Sequence, residues 1–375
     1  MTKLRVGIVG PGKVAHLHAK AVVEQCEHGQ LVGVCGRSLE RSEEFARQYS
    51  AKAYATLQEM LTDADIEVLL VCTPHAYHVE PVVTAAKRGV HCLIEKPMAS
   101  SLSDCDEMLA AAKEGNAKLG VISQRRWYAP IQRMKAALDA GKLGEAALGH
   151  IIMLGWRDQS YYESDPWRGN WDTEGGGVLI NQAPHQLDLF VWLMRSPIRS
   201  VQALTRNLNH PYIEVEDTAA AVVQFENGAI GNILLSNSQK PGIYGKVHIH
   251  GSNGASVGGQ TEGGAMFIAG RSSVLEAPYN DIWSVPGEES LLDTWKAEDQ
   301  ALFEQHDATY YYIGLQIDDF CQSVKAGNEP LSSGEEGRKT VELITAIYSS
   351  ATHDTTITFP VDGDDPATRK TRTLS

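Results

Sequence analysis

Leu4–Cys35, LRVGIVGPGKVAHLHAKAVVEQCEHGQLVGVC, is the stretch on which the reading of the fold turns. Leu4–Val9 is short, apolar and rich in β-formers, and Gly10-Pro11-Gly12-Lys13-Val14-Ala15 follows it into a segment reaching Cys26. A second apolar run, Leu31–Cys35, closes a unit of about thirty residues, the size of one βαβ. This is a GxGxxA loop in the context that gives the motif meaning. Gly10 permits a tight turn, Gly12 lets backbone approach a pyrophosphate without a Cβ, and Ala15 allows the helix to pack close on the strand. Phosphates then meet the free N–H groups of the helix N-terminus. The motif therefore predicts a dinucleotide site held by Gly10, Pro11, Gly12, Lys13 and Val14, against the plainer reading of a chance turn.

The second strand ends Cys35-Gly36-Arg37-Ser38, without the acidic residue that normally holds the ribose hydroxyls of NAD. Arg37 and Ser38 are placed to receive a 2′-phosphate, which leans the cofactor reading, NAD(P), toward NADP. The alternative is that Ser38 caps the helix from Leu39 to Tyr49 and Arg37 is simply solvated. Further along, Val68–Cys72 is a buried strand running into Thr73-Pro74-His75-Ala76-Tyr77-His78, and His91–Glu95 is another, followed directly by Lys96-Pro97. Ligands of open parallel sheets bind beyond the carboxyl ends of the strands. Thr73, Pro74, His75, His78, Glu95 and Lys96 thus fall where a cofactor would lie, although a lysine past a strand is also an ordinary surface residue. A last helix and strand complete a doubly wound sheet by residue 123.

With 375 residues, 43% hydrophobic and 21% charged, the chain has material for two domains. A formal net charge of −14 argues against nucleic acid or an anionic membrane surface as partner. The N-terminus enters its first strand at once and no apolar run is long enough to span a bilayer, so a cytoplasmic protein is expected. Cys26, Cys35, Cys72, Cys92, Cys105 and Cys321 form no CxxC pair and read as reduced, packed thiols.

Gly175–Asp188, GGGVLINQAPHQLD, is where chemistry is expected. Asn181 and His185 stand four apart, the spacing of one helix face, with the regular helix expected to begin near Asn181. The plain alternative makes Asn181 an N-cap and His185 a packed histidine. Taken together, VGIVGPGKVA, CTPHAYH, LIEKP and this stretch resemble the glucose-fructose oxidoreductase, inositol dehydrogenase and rhizopine-catabolism family of NAD(P)-dependent oxidoreductases over nearly the whole chain. The resemblance implies that Lys96 is the active-site lysine and His185 the catalytic histidine. Two positions depart from the family: its usual TPN reads Thr73-Pro74-His75, and its usual aspartate four before the histidine is Asn181. An amide holds a hydroxyl but carries no charge to stabilise an imidazolium.

The expected architecture is an α/β Rossmann domain over residues 1–123 followed, from 124 to 375, by an α+β domain with a large, mostly antiparallel open sheet. β-rich runs at 150–154, 200–204, 218–225, 229–236 and 246–251 supply that sheet, Asn227-Gly228 marks a hairpin, and the apolar segment 186–194 is the candidate cover for one face. By the resemblance, the other face builds a homodimer or homotetramer. Four of seven tryptophans, Trp127, Trp156, Trp167 and Trp171, lie among Arg126, Arg157, Asp158, Tyr161, Tyr162 and Arg168. Flat rings beside planar hydrogen-bonding groups suit a sugar or cyclitol, and some of these rings are core. His248 and His250 share a strand face, but no nearby Cys or carboxylate in the sequence completes a metal site. Gly258–Gly264 reads as a flexible turn and 362–375 as a polar, mobile end.

The function these residues predict is reversible oxidation of a secondary hydroxyl of a cyclic polyol or pyranose to a ketone. His185 takes the hydroxyl proton while hydride leaves to nicotinamide, Lys96 stabilises the developing alkoxide, and Asn181 orients the hydroxyl. A lysine base is the alternative assignment. Two other classes stay open: a redox-neutral glycosidase that keeps NAD bound, and a non-catalytic nucleotide sensor.

Overall fold

The computed structural model describes residues 2–262 and 276–368. The chain forms two compact units, one of residues 1–124 with 308–341 and one of residues 125–307 with 342–375.

The first unit alternates strand and helix: β1 (Leu4–Val9), α1 (Lys13–Gln25), β2 (Gly29–Cys35), α2 (Leu39–Tyr49), β3 (Lys52–Tyr54), α3 (Leu57–Asp63), β4 (Val68–Val71), α4 (Val79–Ala86), β5 (His91–Ile94), α5 (Leu102–Gly115) and β6 (Leu119–Val121). The six strands are parallel in the order β3-β2-β1-β4-β5-β6. A parallel sheet covered on both faces needs continuously apolar strands, and all four residues of β4 are buried. Helix starts follow local chemistry. Ser38, Thr56 and Ser101 each accept the N–H three residues on, capping α2, α3 and α5.

In the second unit the chain runs α6 (Ala129–Asp139), β7 (Ala146–Trp156), α7 (Gln159–Glu163), α8 (Val178–Asn181), α9 (Pro184–Met194), β8 (Ile198–Arg206), β9 (Thr218–Phe225), β10 (Ile230–Ser236), β11 (Ser238–Gly251), β12 (Ser256–Glu262), β13 (Tyr279–Trp283) and α10 (Leu292–Gln305). Then come α11 (Tyr311–Ala326), α12 (Gly334–His353) and β14 (Ile357–Thr358). Eight strands form one sheet in the order β13-β12-β11-β7-β10-β9-β8-β14, antiparallel except for the parallel pair β7–β10. β9 and β10 join through Asn227-Gly228, with Gly228 at φ +87°, as the hairpin signal requires. α9 is buried on nearly every side. Gly149 and Gly231 let its Phe190 lie on the sheet: a Cβ at Gly231 would stand 2.3 Å from that ring.

Three expectations change. Residues 308–341 belong to the first unit, where a single boundary at 123/124 was expected. The reason is α11, whose Ile313, Ile317 and Phe320 bury in one core with Ala15, Ala19 and Val22 of α1, while Asp318 accepts the N–H groups of Glu27 and His28 at 2.7 and 2.8 Å. Residues 258–262, read as turn, are strand, because β12 pairs with both β11 and β13; residues 263 and 264 lie outside the described residues. The helix expected to begin near Asn181 is two helices, for reasons given below. Of the polar end, 369–375 also lies outside the described residues.

Candidate active site

In the first unit β1 and β4 lie side by side at the point where strand order reverses, and a loop leaves the carboxyl end of each. Gly10 stands there at φ +89°, and a Cβ on it would lie 2.9 Å from the Cys72 carbonyl carbon and the Thr73 nitrogen. Only glycine brings the two loops that close. A Cβ at Gly12 would meet nothing within 4 Å, so the space its missing side chain leaves is open. Gly12 is also the N-cap of α1 and contributes no side-chain bond, so the positive end of that helix lies beside this loop. Pro11 packs on Gly36, Lys13 is exposed, Val14 packs against the core cluster and Ala15 is fully buried. This loop fits the pyrophosphate of a dinucleotide.

The neighbouring loops are braced from within. Thr73 donates its hydroxyl to the Tyr77 carbonyl at 2.9 Å, Pro74 precedes a 3-10 turn over His75–Tyr77, and His75 is buried. His78, expected near the cofactor, is fully buried with its ring between the Thr73 and Met98 carbonyls at 2.9 and 3.1 Å, and burial lowers its pKa. It is a strut. Glu95 likewise pairs with His18 at 2.6 Å; burial would raise its carboxyl, but the bond and charge of His18 hold it low. Nothing local in the sequence joins His18 to a residue 77 positions on. Lys96 is half-buried just past β5, its N–H bonded to Glu95 at 3.1 Å. Arg37 is exposed, 5.9 Å from the Tyr77 ring, and Ser38 is the α2 cap, accepting the Arg41 N–H at 3.3 Å.

In the second unit Gly175 and Gly176 have positive φ, and a Cβ at Gly177 would stand 1.8 Å from the Glu216 carbonyl oxygen. Glu216 organises this turn. Its carboxylate accepts the N–H groups of Gly177 and Leu179 at 3.0 Å and the Tyr348 hydroxyl at 2.9 Å, and burial pushes its pKa up to about 7 against those bonds. α8 then runs one turn to Asn181. Gln182 and Ala183 break the ladder, and α9 starts with Pro184 in its first turn, where a missing N–H costs nothing. Asn181 and His185 therefore sit on different helices, not on one face, and Asn181 caps neither. His185 is the second residue of α9 and is buried.

Asn181 heads a network that the sequence reading only half contained. Its amide nitrogen donates to Tyr161 Oη at 3.2 Å and to the Glu174 carboxylate, and Glu174 in turn accepts the Gly169 N–H at 2.5 Å. Tyr161 Oη also accepts from Arg168 at 2.5 Å and from Gln182 at 2.8 Å, while Gln182 Oε1 accepts from Asn237 at 2.8 Å. Burial raises the Tyr161 phenol, against the pull of the Arg168 and Arg157 guanidiniums. Glu174 and Gln182 were within reach of sequence reasoning, as polar residues beside the glycines and inside a largely apolar segment. Asn237, Glu216 and Tyr348 carry no local signal.

The remaining candidates divide. Arg157 is buried with its guanidinium 4.7 Å from the Tyr161 ring, and Arg168 lies 4.3 Å from both the Tyr161 and Trp167 rings. Trp156 packs 5.0 Å from His210. Arg126 forms a bidentate pair with Asp188 of α9 at 2.9 and 2.7 Å and stacks on Trp192, so its fork anchors α9; the adjacent Trp127 is half-buried. Trp171 is core, bonded to the Glu214 carbonyl. His248 does meet a carboxylate, Asp281 at 2.9 Å, brought by β13 from 33 residues away; even so, no group of three or more metal-ligating residues occurs among the described residues.

Two family models match the chain: an oxidoreductase family with NAD-binding Rossmann fold over residues 4–123 and the GFO/IDH/MocA C-terminal domain over 131–257. Among curated relatives, a 1-carboxy-3-chloro-3,4-dihydroxycyclohexa-1,5-diene dehydrogenase of Comamonas testosteroni is 30% identical over 234 residues, 62% of this chain and 58% of that protein. The myo-inositol 2-dehydrogenase of Thermotoga maritima is 23% identical over 347 residues, 91% of this chain and 94% of that one. The WlbA dehydrogenase from Bordetella pertussis, solved with NADH and UDP-GlcNAcA, superposes with a TM-score of 0.83 at 28% identity, covering 96% of this chain and 99% of that one. With its switch-point glycine loop, its open eight-stranded sheet and both domain models matched in order, the chain belongs to the GFO/IDH/MocA family and is an NAD(P)-dependent oxidoreductase.

Proposed function

We propose that the protein is a dehydrogenase that oxidises a secondary hydroxyl of a cyclic polyol or pyranose to a ketone, reversibly. The observation that carries the reading is the setting of Asn181 and His185. Both protons of the Asn181 amide are directed to Glu174 and Tyr161, so toward a hydroxyl this side chain acts through its carbonyl oxygen, as an acceptor. That orients an alcohol O–H. His185, buried at the start of α9, is the base that takes the proton, and Lys96, past the end of β5, is the cation that steadies the alkoxide. Bound nicotinamide supplies the hydride acceptor. The glycine loop holds its pyrophosphate, and Arg37 is the cation that favours NADP at a strand end lacking a carboxylate.

The comparisons support the reaction class, since the relatives include a chlorinated dihydroxycyclohexadiene dehydrogenase and a myo-inositol 2-dehydrogenase. Six buried cysteines, none of them in a disulfide, support work in a reducing cytoplasm, and no helix among the described residues is long and apolar enough to cross a membrane. The open face of the large sheet supports pairing with a second copy. Direct cross-strand partners align Leu204, Ala220, Leu234 and Ile152 in one row across it. The test is a screen of sugars and cyclitols with NAD⁺ and NADP⁺ in parallel, read by reduced-nicotinamide absorbance. With a substrate found, His185→Ala and Lys96→Met should each lower kcat by about a hundredfold or more; near-normal turnover in either variant removes that residue from the mechanism.

A further inference from the structure

Beside the glycine loop two side chains meet that the sequence reading did not join. Arg37 leaves the loop after β2, Tyr77 leaves the loop after β4, and the Arg37 guanidinium carbon stands 5.9 Å from the centre of the Tyr77 ring. In the sheet β2 and β4 flank β1, so the two side chains come from either side of the strand that carries the glycine loop. Both of their loops rest on that loop. The Gly10 N–H donates to the Cys35 carbonyl at 2.9 Å, a Cβ at Gly36 would lie 2.5 Å from Pro11, and a Cβ at Gly10 would lie 2.9 Å from the Thr73 nitrogen.

Tyr77 is held by its backbone, yet its ring is left in water. Its N–H donates to the Pro74 carbonyl at 2.8 Å, its carbonyl accepts the Thr73 hydroxyl, and the next residue is the buried strut His78. Even so fixed, Tyr77 is 58% exposed, which forgoes the gain of burying an aromatic ring. Arg37 is exposed too, and among the described residues its guanidinium makes neither an ion pair nor a hydrogen bond. Its neighbour Ser38 is committed to the α2 cap. A flat ring and a flat cation, both wet, are surfaces on which a purine base stacks. A base between them needs about 3.5 Å on each side, about an ångström more than the present separation, and Arg37 swings that far without breaking a bond.

We propose that Arg37 and Tyr77 form the adenine subsite of the cofactor, with the base between guanidinium plane and phenol ring, so that Arg37 serves the base through its plane and the 2′-phosphate of NADP through its edge. The proposal rests on the placing of the cofactor pyrophosphate at the glycine loop and on the reading of Arg37 as the cation for the 2′-phosphate. It is tested by calorimetric titration of the full-length protein with NAD⁺, NADP⁺ and ADP-ribose, which keeps the adenine end and lacks nicotinamide. Tyr77→Ala should weaken all three by about tenfold, as the loss of one stacking face does, and leave the ratio of NAD⁺ to NADP⁺ affinity at its wild-type value. Tyr77→Phe should stay within about twofold of the wild type, because the ring and not its hydroxyl makes the contact. Arg37→Ala should weaken NAD⁺ by about tenfold and NADP⁺ by about tenfold more, since it removes both the stack and the charge-assisted bond. Affinities unchanged in Tyr77→Ala, or reduced as far in Tyr77→Phe as in Tyr77→Ala, overturn the subsite and leave the dinucleotide site standing. A loss in Arg37→Ala that is equal for NAD⁺ and NADP⁺ supports the stack and overturns the 2′-phosphate contact. Wild-type protein that binds none of the three overturns the glycine-loop placing and the subsite with it.

Discussion

At Asn181 a carboxylate expected from the family is missing, yet the structure returns one within bonding distance. Glu174, seven residues upstream, accepts the Asn181 amide and so places a carboxylate one side chain behind Asn181. Glu216 shows what burial does to such a group. Its carboxyl, near 4.5 when unperturbed, is pushed up to about 7 by burial despite three donors. Between those values the unfolded chain has released the proton and the folded chain still holds it. The contribution of Glu216 to stability is therefore complete below about pH 4.5 and is lost as pH rises through 7, a change on the order of 3 kcal/mol. Urea unfolding of the wild type and Glu216→Gln from pH 5 to 8 should show the wild type losing stability relative to the variant; parallel curves would remove burial of this carboxyl as the cause.

Two glycine-led helix starts answer to different constraints. At the start of α8, Gly177 has Glu216 backbone against it, and backbone cannot swing aside as a side-chain tip does. Gly177→Ala should cost about 3 kcal/mol or more and lower activity with stability, because α8 carries Asn181. At the start of α1, by contrast, Gly12 has nothing near its missing Cβ. Gly12→Ala should leave the melting temperature within about 2 °C of the wild type while weakening dinucleotide binding by at least about tenfold. Thermal melts and cofactor titrations on both variants separate packing from ligand space; a strongly destabilised Gly12→Ala would contradict the open cradle. Both glycine clusters were visible in the sequence, but a motif does not say whether the close neighbour is the protein or its ligand.

Over the whole molecule, the open face of the eight-stranded sheet leaves Leu204 51%, Val222 53%, Ile230 52% and Leu234 38% exposed. Apolar exposure spread along adjacent strands is the mark of an interface, and pairing with a second copy is the occupant proposed for it. Replacing Val222 and Leu234 together by Lys should shift sedimentation from an oligomer to a monomer without loss of the fold; a wild type that sediments as a monomer at micromolar concentration would sink the pairing. What the sequence carried unaided was everything governed by short-range pattern: the βαβ start, the helix cap at Ser38, the Asn227-Gly228 hairpin, the β-rich runs of the large sheet and the order of motifs that marks the family. Those features follow from backbone sterics and from which face of a periodic segment is apolar, and neither needs distant residues. The membership of α11 in the first unit, the break between α8 and α9, the diversion of Glu95 to His18 and Arg126 to Asp188, and the joining of Glu174, Asn181, Tyr161 and Arg168 were settled by folding alone. A buried charge or amide must find its partner wherever the packed chain supplies one, and that partner's position in the sequence leaves no local trace.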